Sequence, residues 1–153
     1  MKPTAFIGCD PGYSGAIVVL NNSRPSCVIP VMLEHGEPNL WLLKNLITNC
    51  IMISPVVCVI EKVFRPNKLV YCAGMLEGML ASFPMEVHRI APSTWRKGVF
   101  GKAWRNYEKE HSIKFCQKHY PELSLLREHS KVPDHNIAEA IVIAHYAKIK
   151  FGQ

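Results

Sequence analysis

The sequence predicts an α/β layered domain with a mixed five-stranded sheet. Two observations carry that prediction. Three β-type runs, at 4–9, 14–20 and 26–32, follow one another through short polar turns as a meander. Beyond them, short apolar runs alternate with segments of helical spacing, the pattern of strands joined by helices.

The first run halts at Asp10, turns through Pro11 and Gly12, and resumes at Gly15. Proline presets φ and glycine accepts positive φ, so a turn belongs there. Taken alone, Asp10 is as well explained as a turn former as by any chemistry. Pro38 to Asn49 has helical apolar spacing with proline near its start. Val56 to Glu61 is a continuous β-branched run and predicts a buried central strand. Lys68 to Ser82 predicts a helix with Gly74 and Gly78 on one face, small enough for close packing against a neighbour, including a second subunit. Glu86 to Ile90 is the fifth strand. Arg105 to His119 reads as a basic amphipathic helix, and Asn136 to Ile149 as the last helix, after Pro133.

With 153 residues the chain is long enough for a real core in one domain, 1–153. At 48% hydrophobic and 20% charged, its composition is that of an ordinary globular protein. No apolar run is long enough to span a bilayer, and the N-terminus lacks a signal-peptide pattern. The six cysteines are scattered with no CxxC pair, which predicts free thiols in a reducing, intracellular compartment. Charge is unevenly placed. Residues 88–131 hold ten Lys or Arg and four Glu, while the rest balances to zero, so the whole excess of +6 lies in one segment. Such a patch fits a phosphate-rich partner, although a solvated helix face has the same composition.

The acids are placed as tellingly as the bases. The chain has only two aspartates, Asp10 and Asp134, each at the boundary of a regular element. Glu61 ends the most apolar strand, and Glu139 interrupts the apolar helical segment IAEAIVIAHY. A buried carboxylate is costly unless paired or metal-bound. If the first and fourth strands are neighbours, Asp10 and Glu61 meet at one sheet edge, and the last helix can bring Asp134 and Glu139 to them. Asp134 also suits the cap of that helix. Five residues on a helix turn through about 140°, so the two acids share a site only if Asp134 precedes the first regular turn. Gathered acids repel one another unless hard cations neutralise them. Mg²⁺ takes oxygen ligands and phosphate, and two such ions flank a phosphodiester in metal-dependent hydrolysis. Acids and basic segment together predict a metal-dependent nuclease.

In this order GCDPGYSGAI, CVIEKVF, CAGMLEGML, APSTWRKGVFGK and DHNIAEAIVIAHY resemble the motifs of the RuvC-type Holliday junction resolvases, nearest to the phage-like and plastid-like branches with DHxxAEA. The resemblance implies an RNase H-like three-layer α/β/α fold and a homodimer. It also implies two Mg²⁺ ions per site, replaceable by Mn²⁺, and paired symmetric nicks in four-way DNA junctions. It carries over Asp10, Glu61, Asp134 and Glu139 as metal-binding catalytic acids. Where bacterial members end in DxxDA, this chain has Asn136 three residues before Glu139, so His135 and Asn136 stand beside Asp134 as third-ligand candidates. The resemblance further implies that Phe64 wedges against bases, with Arg65 and Lys68 on phosphates. Arg96, Lys97, Lys102 and Lys109 match the region that lines DNA, Arg105, Lys114 and Lys118 extend it, and Lys109 assists the transition state. Trp95 and Trp104 read as packing anchors. The alternatives are a YqgF-type RNA-processing nuclease of the same fold and a non-catalytic junction-binding protein.

Overall fold

The computed structural model describes residues 2–22, 26–51, 55–64 and 68–153. The five predicted sheet strands form: β1 (Ala5–Asp10), β2 (Ala16–Asn21), β3 (Cys27–Pro30), β6 (Val56–Glu61) and β7 (Glu86–Ile90). Their order is β3-β2-β1-β6-β7. The meander β1-β2-β3 is antiparallel, whereas β6 lies parallel to β1 and β7 parallel to β6. Parallel neighbours need crossovers. Helix α1 (Leu40–Cys50) makes the one into β6, and α2 (Lys68–Ala81) the one into β7.

Strand alternation sorts the core into two faces. Ala5, Ile7, Cys9, Val56, Cys58 and Ile60 pack with Leu43, Leu76 and Leu80 of α1 and α2. Phe6, Val57 and Val59 point the other way, to α5 (His135–Phe151). Residues 137–144 of α5 are all buried, which explains why its sequence is apolar nearly all round. The sheet covers one side of it. Two helices, α3 (Pro92–Phe100) and α4 (Lys109–His119), cover the other, with Trp95 and Cys116 fully buried.

Gly8 sets the approach of α5 to the sheet. A Cβ there would sit 2.9 Å from Ala144 Cα and closer still to the Ala140 carbonyl and the Ala144 amide. Only a residue without a side chain lets helix backbone lie so near strand backbone.

Three local features depart from the sequence reading. A two-stranded ribbon, β4 (Leu33–Glu34) with β5 (Glu37–Pro38), precedes α1. Its two-residue turn has His35 at φ 52° and Gly36 at φ 82°, the positive pair of a primed hairpin turn. Residues 92–100 form a helix of their own, begun by Pro92 in its first turn. The single basic helix expected over Arg105–His119 is two pieces, a 3-10 helix over Gly101–Asn106 and then α4. Glu108 starts α4 with a reciprocal cap, its side chain bonding His111 while the His111 ring bonds back. None of the six cysteines is in a disulfide. Among the described residues no helix is long and apolar enough to cross a membrane.

Candidate functional site

The site lies at the carboxyl edge of the sheet. Cys9 pairs with Ile60 across the parallel β1–β6 ladder, so Asp10 and Glu61, each the next residue, end their strands side by side. Asp10 has the parity of Phe6 and Gly8, and Glu61 that of Val57 and Val59, so both belong to the face that α5 covers. The close contact at Gly8 sets Glu139, one residue before Ala140, opposite them.

Glu139 is a buried carboxylate, 8% exposed. Its Oε1 accepts from Tyr107 Oη at 2.8 Å and from Arg96 Nη2 at 3.2 Å. Burial, then the nearby Glu139 charge, pushes the Tyr107 hydroxyl well above its ordinary value, so it stays protonated and donates. The Ser112 hydroxyl lies 2.7 Å from the Tyr107 oxygen and donates in turn. Glu61 Oε2 accepts the indole N–H of Trp95 at 2.7 Å. Burial raises the Glu61 carboxyl, the indole bond and Arg96 oppose that, and Glu139 adds to it.

Asp10 is the least compensated. Among the described residues its side chain has no hydrogen bond or ion pair. Burial, then the Glu139 and Glu61 charges, holds it well above the usual carboxylate range; Lys109 pulls the other way and Asp134 adds a small push upward. Lys109 Nζ donates to His135 Nε2 at 2.7 Å.

Asp134 caps α5: its Oδ1 accepts from the amides of Asn136 at 2.8 Å and Ile137 at 3.1 Å. Its Oδ2 takes Arg127 Nε, and Arg127 also bonds the carbonyls of Ser14 and Gly15 beyond β1. Burial acts upward on Asp134, but the Arg127 bond and the two amides outweigh it and lower the group. Asn136 Nδ2 donates to Ser14 Oγ at 3.1 Å.

Asp10 therefore feels the charge of the other three acids around the same edge, yet the four form no ready cage. Among the described residues no three His, Cys, Asp or Glu side chains stand in position to hold a metal ion. The reason is local: Glu139 is turned to Arg96 and Tyr107, Glu61 to Trp95, and Asp134 to its cap and Arg127. The donor set still fits a hard divalent cation. All its groups are carboxylate oxygens, and Asp10 is pressed by neighbouring negative charge that a cation would relieve.

A basic groove adjoins the acids, lined by Phe64, Ser93, Arg96, Trp104, Arg105 and Tyr107. Phe64 is 65% exposed and so is not a core residue, and the Lys62 ammonium lies 5.3 Å from its ring centroid. Lys97, Lys102 and Arg105 line a second hollow beyond, and Lys68 is exposed at the start of α2. Arg65 lies outside the described residues. Arg96 lines the groove and also faces Glu139, stacked on Trp95 and Tyr107; Trp104 is partly buried and lines both hollows. The sequence reading missed the Trp95 bond, Tyr107 and Arg127. The one signal for them was the placement of donor-bearing side chains among apolar or basic neighbours.

No protein-family model and no curated protein matches this sequence. Solved structures do. RuvC of T. thermophilus in complex with a Holliday junction substrate matches with a TM-score of 0.59 at 19% identity, over 94% of this chain and 92% of that one. A second Thermus thermophilus RuvC structure matches with 0.56 at 20% identity, over 93% and 92%. The Fowlpox virus resolvase in complex with substrate Holliday junction DNA matches with 0.50 at 17% identity, over 94% and 98%. In its strand order, layers and near-complete alignment, the chain has the RNase H-like fold of the RuvC-like resolvases.

Proposed function

We propose that this protein is a divalent-metal-dependent endonuclease that resolves four-way DNA junctions by paired symmetric nicks. One observation carries the reading: Asp10 and Glu61 end adjacent parallel strands on the face that presents Glu139, beside a basic groove with an exposed phenylalanine. The solved resolvases of the same fold, two of them bound to junction DNA, support the choice of substrate.

Asp10, Glu61 and Glu139, with Asp134 beside them and His135 or Asn136 as auxiliaries, would hold Mg²⁺ or Mn²⁺. The chemistry supplied at such a site would be activation of the attacking water and neutralisation of charge on the departing 3′ oxygen. The protein's own groups do the rest. Trp95 and Tyr107 fix the two glutamates. Lys109, held by His135 and within reach of the Asp10 charge, is placed to offset negative charge on the reacting phosphate. Lys97, Lys102, Arg105 and Lys68 anchor phosphates without reading sequence. Phe64 offers a face for a splayed base, worth about 1–3 kcal/mol.

Paired nicks require two sites. A homodimer fits through α2, where Tyr71 is exposed and a Cβ at Gly74 or Gly78 would meet nothing within 4 Å. Its twofold axis matches that of an opened junction. Six cysteines, none of them in a disulfide, accord with action in a reducing compartment.

The test incubates a mobile four-way junction and a structured RNA with the protein in Mg²⁺ or EDTA. Paired nicks in the junction, lost in EDTA and in Asp10→Asn while binding persists, support the reading. Cutting of the RNA in preference points to an RNA-processing nuclease. Tight junction binding with no Mg²⁺-dependent nick points to a non-catalytic binder.

A further inference from the structure

Arg96 joins the acid cluster to the basic groove, and its bonding is unusually thin. Guanidinium carries five N–H donors and ordinarily grips a carboxylate through two. Here one bond reaches Glu139, at 3.2 Å, and the buried Nε has no partner among the described residues. Its position comes from stacking: the guanidinium carbon lies 4.3 Å from the Tyr107 ring centroid and 4.9 Å from that of Trp95. Its side chain is 27% exposed and forms part of the groove wall that also carries Phe64 and Arg105. Glu139, for its part, is a buried carboxylate, and a buried charge is costly unless it is paired.

We propose that Arg96 is a built-in counter-ion for Glu139 that a divalent cation displaces, and that the released guanidinium meets a phosphate of the DNA strand in the adjoining groove. The inference rests on the metal-nuclease reading above. A guanidinium and a divalent cation on one carboxylate repel each other, so each weakens the other's hold. The single bond is readily exchanged, and the aromatic faces that carry the guanidinium remain under it as it turns outward. Metal and junction then bind cooperatively, and by linkage each tightens the other by the same factor.

Mn²⁺ binding is measured by titration calorimetry on the full chain without DNA, for the wild type, Arg96→Gln, Arg96→Ala and Arg96→Lys. Loss of the charge in Gln or Ala should tighten Mn²⁺ about tenfold, the size expected when a divalent ion is relieved of one nearby positive charge under nearly aqueous screening. Lys, which keeps the charge, should stay near the wild type. Junction affinity is then measured in Ca²⁺ and in EDTA. The neutral variants should bind several-fold more weakly than wild type in Ca²⁺ and equally in EDTA.

Unchanged or weaker Mn²⁺ binding in both neutral variants overturns the proposal. So does a junction deficit of equal size in Ca²⁺ and EDTA, which would make Arg96 a permanent phosphate contact. If the wild type itself takes up no Mn²⁺, the metal site falls first and the proposal falls with it.

Discussion

Replacing Gly8 with alanine perturbs the contact on which the site's assembly depends. The added Cβ would lie 2.9 Å from Ala144 Cα, against roughly 3.5–4.0 Å for an ordinary carbon contact. Its nearer neighbours, the Ala140 carbonyl and Ala144 amide, are backbone and have no rotamer to change. Helix α5 must retreat from β1 by about 1 Å, taking Glu139 away from Asp10 and Glu61. Overpacking of this kind costs about 1–3 kcal/mol, and a backbone clash belongs at the upper end. For a chain of this size that lowers the melting temperature by roughly 6–12 °C. A displacement of that size reduces a positioned reaction by about a hundredfold. The assay pairs thermal unfolding by circular dichroism with single-turnover nicking of a four-way junction in Mg²⁺, well below the melting temperature. Wild-type stability and wild-type nicking would refute the packing argument. A lowered melting temperature with an undiminished rate would show that α5 does not position the reacting groups.

Three further outcomes follow from the site. Trp95→Phe leaves the partly buried Glu61 Oε2 without its donor; unfolding free energy should fall by about 1–3 kcal/mol, and nicking should fall while junction affinity holds. A parallel loss of both would contradict a role confined to Glu61. Asp134→Ala removes the helix cap and the partner of Arg127, at about 0.5–2 kcal/mol for the cap alone. Because the folded protein holds Asp134 below its ordinary value, that stabilisation is present above the unfolded pKa and lost as pH falls through the folded one; denaturation in acid should therefore be shallower in the variant, and an unaltered acid profile would speak against it. Asp10 behaves oppositely. Burial and the neighbouring carboxylates raise it, so the metal-free protein loses stability as pH climbs from the unfolded pKa through the folded one. Asp10→Asn should then melt above the metal-free wild type at pH 7.5 and gain nothing from Mg²⁺, and a lower melting temperature would count against the strain.

Much of this was legible in the sequence because strand geometry is strict. A period of two fixes which face Asp10 and Glu61 share with the residues before them, and a long helical crossover makes their strands parallel. Glu139 was marked by its place in a helix otherwise apolar nearly all round. What the sequence hid depends on pairings between distant residues. Trp95 reads as an ordinary core aromatic until its indole is seen 34 positions from home on Glu61. Arg127 reads as one more base in a basic segment, yet it ties Asp134 to the loop after β1. Helix α3 was obscured because Trp95 is its only buried residue, so no apolar stripe marks it. The ribbon before α1 rests on two residues with positive φ, and only Gly36 announces that.

The most direct test of the central claim is an anomalous difference map from crystals of the wild-type protein grown with Mn²⁺. The account predicts manganese at the carboxyl edge of the sheet, bonded to Asp10 and Glu61 with Glu139 turned away from Arg96. Manganese elsewhere, or none at that edge with Glu139 still on Arg96, would contradict it.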